Sequence, residues 1–284
     1  MRVTGARVLM HRRPRRLTRV AAADTRAVTI VSPGGLGDRL VALALAYHLA
    51  AAGLRAAAVT EAGEPADDGL PALPLLAAPT DGSTELRLRE LEAFRWDRPG
   101  DMLRELLGEI GVEFGPVPAH ACLQVEPWYR DAVRELVGER RYVLIAPEGH
   151  YEADAKRMSR AQVEAVAAAA WQAGRAPVIV HDKRLNADIK GVLDLSGRTS
   201  VSELCALVAH ADAVVSTDTG TLHLAGAYHT PLVAVCPWTL HPTRFWHSYV
   251  PAVWLACRDA AGVAPRLVES ATRRMLEAVE AQWA

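Results

Sequence analysis

Several things are scarce in this sequence, and each scarcity closes off a class of function. Only four cysteines occur in 284 residues, Cys122, Cys205, Cys236 and Cys257. They form no CxxC pair and no histidine stands at metal spacing from them, so neither a disulfide framework nor a zinc site has support, and a reducing cytoplasm is the compartment they fit. Clustered carboxylates of the DxD kind are missing, so no divalent metal and no resident cofactor are expected. Charge of one sign is also lacking: 32 Lys and Arg against 33 Asp and Glu leave −1, which gives no pull towards nucleic acid or anionic lipid as a main partner. The longest apolar runs are alanine-rich, amphipathic and shorter than the roughly 20 residues that span a bilayer. No repeat of 20 to 50 residues is visible.

The N-terminus is basic, with seven arginines from Arg2 to Arg19, but it carries no apolar core of a signal peptide. Residues 1–25 read as an extension, with Arg7–His11 a candidate edge strand; contact of the arginines with anionic lipid or an acidic acceptor is the minor alternative. Beyond it the chain is half apolar, enough for one large core or two ordinary ones, and two domains of about 140 residues are the better expectation.

Residues 27–53 run strand, glycine turn and helix without interruption. Val28, Ile30 and Val31 make the strand; Leu40, Leu43, Ala44, Tyr47 and Leu49 recur at helical spacing, and Gly53 ends the helix. The turn Gly34-Gly35-Leu36-Gly37-Asp38 has its third glycine at the wrong offset for a dinucleotide fingerprint, which disfavours a nicotinamide enzyme. Its glycines let backbone pass close to a ligand at the carboxyl end of a strand, where open α/β sheets bind. From spacing alone Asp38 reads equally well as a helix cap or as a functional acid.

A second strand is expected over Arg55–Thr60 and mostly loop over 61–84, where Pro, Gly and Asp dominate. Helices are expected over 85–94, 101–110 and 127–137, the last with Pro127 in its first turn and Gly138 as its stop. Further on, Tyr142–Ala146 is a strand and 147–157 a polar loop. Ser159 with Gln162 and Ser200 with Glu203 are capping boxes for helices reaching Ala173 and Ala209. Strands fall at Pro177–Val180 and Val192–Leu195, and a last helix over 265–281 carries Leu267, Ala271, Met275 and Val279 on one stripe. Strands alternating with helices imply parallel sheets covered on both faces.

The most informative stretch is VVSTDTGTLHLAGAYHTPLVAVCPWT, residues 214–239. A β-branched strand enters a polar turn, Ser216 to Gly220, then a small-residue helix from about Thr221 to Tyr228 and a buried strand from Pro231 to Val235. Such a turn collects unpaired N–H groups and the positive end of a helix dipole at one point, where phosphate binds. The stretch resembles the DSGxxHLAxAxxxPxxxxFGPT signature of glycosyltransferase family 9, the heptosyltransferases, and GxGD at 35–38 resembles that family's N-terminal motif.

The resemblance implies an α/β fold of the GT-B kind: two Rossmann-like domains with parallel sheets facing a central cleft, here with a reduced N-terminal domain. The implied division is residues 1–25 as extension, 26–138 as acceptor domain and 139–284 as donor domain, with a hinge near 138–141 and a C-terminal helix packing back. It implies Asp38 as catalytic base, with Gly35 and Gly37 beside the donor. Thr219, Gly220, Thr221 and His223 would meet the donor diphosphate, and Thr217 and Asp218 would shape the turn or reach the sugar. Lys156, with Arg157 as its substitute, is a counter-charge in a loop where the family often has K-x-W/P. Asp182 and Lys183, in HDKR where the family often has Gly and a later Glu, face the nucleoside. Trp238 stacks on base or sugar, or simply packs.

The expected function is therefore inverting, metal-independent transfer of a heptose or hexose-like unit from a nucleotide-diphosphate sugar, ADP-linked among the candidates, to a hydroxyl acceptor. A small-molecule acceptor suits the reduced first domain. The alternatives are a degenerate relative that binds a nucleotide or nucleotide sugar without turnover, and a nucleotide-sugar epimerase or hydrolase of the same fold.

Overall fold

A computed structural model of the chain describes residues 27–32, 35–51, 53–63, 69–71, 84–87, 123–149, 154–185, 187–237 and 251–283. The N-terminal extension, the helix expected over 101–110, and residues 238–250, which include Trp238, His241, Arg244, Trp246 and His247, lie outside the described residues. The chain divides into two compact units near residue 123.

In the first unit, β1 (Ala27–Ser32) enters α1 (Leu36–Ala51), which returns to β2 (Arg55–Thr60). The helix ends where Leu54 N–H reaches back to the Leu49 carbonyl, 3.1 Å. Leu40, Leu43, Ala46 and Leu49 are buried, the i, i+3, i+6 and i+9 positions of one stripe. The expected helix over 85–94 is overturned at its start: Thr84–Arg87 is a strand, β3, parallel to β1. Four residues carry too little period to declare themselves, and the open edge of β1 supplies the hydrogen bonds that decide the matter. The sheet order is β2-β1-β3.

The second unit carries α2 (Tyr129–Val137), β4 (Tyr142–Ala146), α3 (Arg160–Gln172), β5 (Ala176–Ile179), β6 (Leu193–Asp194), α4 (Val201–His210), β7 (Ala213–Ser216), α5 (Gly220–Ala227), β8 (Leu232–Pro237), β9 (Ala252–Cys257), a 3₁₀ turn (Ala260–Gly262) and α6 (Pro265–Trp283). Its six strands are all parallel in the order β6-β5-β4-β7-β8-β9. Both capping boxes form, Ser159 with Gln162 and Ser200 with Glu203. The helix α2 starts at Tyr129 with Trp128 at its cap, so Pro127 precedes the helix instead of standing in its first turn.

Alternate residues of the strands divide between two faces, as the two-residue side-chain period requires. Val143, Ile145, Val215, Val233, Val235, Val253 and Leu255 form one core with Val163 and Val166 of α3 and Val268, Met275 and Leu276 of α6. Tyr129 of α2 and Tyr228, which caps the C-terminus of α5, share a hydroxyl–hydroxyl bond of 2.8 Å, and Cys205, Ala206 and Leu207 of α4 are fully buried. The α6 stripe is corrected by one position: Val268 is fully buried while Leu267 stays exposed, because Ala271, Thr272, Met275, Leu276 and Val279 centre the buried face one residue along. Strand β9 is an addition to the expected set. Among the described residues no helix is long and apolar enough to cross a membrane.

Candidate donor site at the switch point of the second sheet

Counted within its own unit, the six-stranded sheet runs 3-2-1-4-5-6, and the strand order reverses between β4 and β7. Loops leaving the carboxyl ends of two such strands diverge to opposite faces, which opens a crevice there for ligands. After β4 come Pro147, Glu148 and Gly149; after β7 come Thr217, Asp218 and Thr219. The two loops meet. A Cβ on Gly149 would sit 3.2 Å from the Asp218 carbonyl and 3.3 Å from Lys156 Cβ, so the absence of a side chain at Gly149 is what allows the close approach.

Lys156 Nζ lies 2.7 Å from Asp218 Oδ2, with the two side chains 16% and 11% exposed. Arg157 points to a different partner, Glu148, at 2.6 Å. The two candidates for counter-charge are thereby separated: Lys156 stands with the β7 turn, and Arg157 is held by the loop after β4.

The cap of α5 is Thr219 rather than Asp218. Its hydroxyl oxygen accepts from Thr221 N–H at 3.2 Å. Ser216 Oγ donates to the Thr217 carbonyl, 2.8 Å, and lies 3.0 Å from Thr219 Oγ1. A hydroxyl has one proton, so with Ser216 committed to the carbonyl it is Thr219 that donates to Ser216. Leu222 and His223 N–H bond back to the Thr219 carbonyl at 3.1 and 3.4 Å. This leaves the N–H groups of Thr219 and Gly220 as those an arriving anion would meet. Thr217 is fully buried, and its Oγ1 has no hydrogen-bond partner among the described residues.

His223 follows one turn into α5, partly buried. Burial holds its pKa below the ordinary value; the Asp218 carboxylate opposes that shift and the Lys156 ammonium adds to it. A neutral imidazole beside a diphosphate can donate one hydrogen bond without carrying a charge of its own. Cys236, fully buried behind the same groups, has its thiol pushed well up, first by burial and then by Asp218, which makes it inert packing.

At the carboxyl end of β5, Lys183 N–H lies 3.0 Å from His181 Nδ1, and Asp182 Oδ1 lies 3.0 Å from the same nitrogen. His181 was not foreseen from sequence. Its side chain is 8% exposed, and Nε2 is buried with no partner among the described residues. Only the fold marks it out, since a histidine after an apolar strand has no signature of its own.

In the first unit Gly35, Gly37 and Asp38 lie where β1 passes into α1, with Gly35 accepting from Arg39 N–H at 2.9 Å. The helix starts at Leu36, so Gly37 and Asp38 fall inside its first turn rather than before it. Asp38 is partly buried there, where the helix dipole favours an ionised carboxylate. Trp238 lies outside the described residues. Among the described residues no group of three or more His, Cys, Asp or Glu is placed to hold a metal ion.

A family model described as glycosyltransferase family 9 (heptosyltransferase) matches residues 117–262. A comparison with curated proteins found no match. Among solved structures, the chain is similar to a family 9 glycosyl transferase from Veillonella parvula, at 14% identity and TM-score 0.67 over 92% of this chain and 100% of that one. It is similar to the ADP-heptose LPS heptosyltransferase II of E. coli, at 15% identity and TM-score 0.62 over 89% of this chain and 99% of that one. It is also similar to TibC, an iron-containing dodecameric heptosyltransferase in complex with ADP-D-β-D-heptose, at 15% identity and TM-score 0.53 over 91% of this chain and 76% of that one; TibC comes from enterotoxigenic E. coli. At these identities the structural likeness shows the fold, which is the parallel α/β fold of the GT-B transferases.

Proposed function

Because the chain belongs to glycosyltransferase family 9, we propose that it transfers a heptose or hexose-like unit, with inversion, from a nucleotide-diphosphate sugar to a hydroxyl acceptor. The observation that carries this reading is the convergence of Lys156, Asp218 and the α5 N-terminus at the switch point of one sheet. An ammonium has three protons, so Lys156 can keep Asp218 and still donate to a diphosphate oxygen. The N–H groups of Thr219 and Gly220 add fixed donors, and His223 a neutral one.

In this reading the acceptor hydroxyl gives its proton to Asp38 as its oxygen bonds to the anomeric carbon. The bond from that carbon to the donor phosphate breaks on the opposite side, and the nucleoside diphosphate leaves with the electron pair. Charge therefore builds on the departing phosphate, where preorganised donors are worth most. Residues 26–138 would serve the acceptor and 139–284 the donor. Asp182, Lys183 and Trp238 would surround the nucleoside and sugar, and Gly35 and Gly37 would let backbone approach. No divalent ion enters the scheme, and the compartment proposed is the cytoplasm.

The test uses the full chain with a panel of nucleotide sugars and hydroxyl acceptors, following nucleoside diphosphate release. A transferase releases it only when acceptor is present. Release without acceptor would make the protein a hydrolase, and binding without release would make it a non-catalytic relative.

A further inference from the structure

The polar loop that leaves β4 returns to α3 through a neck of paired residues. At its base Met158 N–H donates to the Pro147 carbonyl at 2.7 Å. One residue further in, Arg157 Nη2 donates to Glu148 Oε1 at 2.6 Å. One further again, Gly149 faces Lys156, where a Cβ on the glycine would meet Lys156 Cβ and Cδ at 3.3 Å and the Asp218 carbonyl at 3.2 Å. The three rungs keep step along both arms, so each pairing fixes where the next residue lies.

The returning arm is held from two other sides as well. Met158 is buried in the core with Val143, Ile145 and Val163. The Ala155 carbonyl accepts from Ala260 N–H at 2.8 Å, which ties the arm to the 3₁₀ turn before α6. These bonds at Met158 and Ala155 join backbone to backbone. Of the three rungs, the middle one alone is a bond between side chains, and it adjoins Lys156 directly.

The Arg157 side chain is 53% exposed and that of Glu148 18%, and a pair so open to water adds little to global stability. Its consequence is local. A lysine ammonium is a point charge on a flexible four-carbon stem, so the backbone it springs from must aim it. A binding group works when it is held within about 0.5 Å of its productive position.

We propose that Glu148 and Arg157 are a positioning pair for donor binding; this rests on the donor-site reading above. Their bond holds the returning arm so that Lys156 can meet Asp218 and an incoming diphosphate together. Neither side chain touches the ligand, and both act through Lys156. Charge by itself argues the other way. Two cations, Lys156 and Arg157, balance two carboxylates, Asp218 and Glu148. Glu148→Gln would leave that cluster positive, and Coulomb attraction would then tighten a diphosphate. Positioning predicts the opposite sign.

Calorimetry on the full chain decides between them, with ADP, GDP and UDP as probes and the tightest carried through the variants. Glu148→Gln and Arg157→Gln should each weaken binding about threefold, within the range an exposed ion pair can supply. The double variant should lose no more than either single one, because both remove the same bond. In a Lys156→Ala background Glu148→Gln should no longer weaken the probe, since the group it positions is gone. Unchanged or tighter binding in Glu148→Gln alone, or a weakening that persists without Lys156, overturns the pair while leaving the diphosphate site standing. Weakening in Arg157→Gln but not in Glu148→Gln would mean that the guanidinium meets phosphate itself, which also overturns it. If none of the three probes binds the parent chain, or Lys156→Ala binds them as tightly, the diphosphate reading of Lys156 and α5 is itself wrong and the positioning pair goes with it.

Discussion

Lys156 and Asp218 come from loops that leave different strands, yet their charged atoms lie 2.7 Å apart with little exposure on either side. Removing one partner of such a pair leaves the other charge desolvated and uncompensated. Lys156→Ala should therefore lower unfolding free energy by about 2–3 kcal/mol, between a charged hydrogen bond and a fully buried pair. It should also raise the donor dissociation constant tenfold or more. Lys156→Arg should recover stability better than donor affinity, because a planar fork cannot serve a carboxylate and a diphosphate from one point. Denaturant titration and calorimetry separate the two effects; an Ala variant with unchanged donor affinity would remove Lys156 from the site.

Asp38 and His223 should fail in different ways. Asp38→Asn is expected to reduce turnover by about 10²- to 10⁴-fold, the usual worth of a positioned base, with donor affinity nearly intact. His223→Ala should weaken donor binding and leave the pH dependence of the base step unmoved. Initial rates at saturating donor, alongside equilibrium binding, distinguish the cases. Full turnover in Asp38→Asn would reject it as the base.

Much of this was legible before any coordinates, and the reasons are local. Tyr142–Ala146 and Arg55–Thr60 are bounded as their apolar runs suggest, and the Ser159 and Ser200 boxes are patterns of four residues whose bonds are made within the pattern. What escaped depends on distant partners. Strand β9 is an apolar run, AVWLAC, with no alternation to separate strand from buried helix; only its ladder with β8 decides it. Thr84–Arg87 is a strand because β1 had an open edge. In the site, the turn at 216–220 could be read from its own residues, but the choice of Lys156 over Arg157 required the closeness of two loops at Gly149.

Gln162 illustrates how much one buried amide can hold. It is fully buried; its Oε1 accepts from Ser159 N–H at 2.6 Å, and its Nε2 donates to the Ala260 and Val263 carbonyls at 2.9 and 2.6 Å. One side chain thus caps α3 and ties it to the turn that launches α6. Gln162→Leu keeps the volume but orphans the Val263 carbonyl and the Ser159 N–H and leaves the Ala260 carbonyl only its 3.3 Å bond from Val263 N–H, each orphaned group worth about 1–3 kcal/mol in principle and less after local relaxation. A net loss of about 2–3 kcal/mol is expected, seen as a lower urea midpoint at unchanged slope. A loss under about 0.5 kcal/mol, the scale of a surface change, would mean that water replaces the amide without cost.

Acid stability should follow two histidines. Burial holds both His210 and His223 below the ordinary value of 6.5, with the Arg130 charge adding to the effect at His210 and Lys156 adding at His223 against the opposing pull of Asp218. The unfolded chain then takes up protons before the folded one does as pH falls, so stability is whole above about pH 6.5 and declines below it, levelling only beneath the folded values. Glu280 acts in a lower window: its bond to Arg175 leads in holding its pKa below 4.5, so its contribution is lost only as pH falls past that value. Unfolding midpoints measured between about pH 7 and pH 5 should therefore drop in the parent chain and drop less steeply in His210→Asn. His223→Asn should flatten the same window while Glu280→Gln leaves it untouched. A decline confined to the carboxylate range in the parent chain would show that neither imidazole is held neutral by its surroundings.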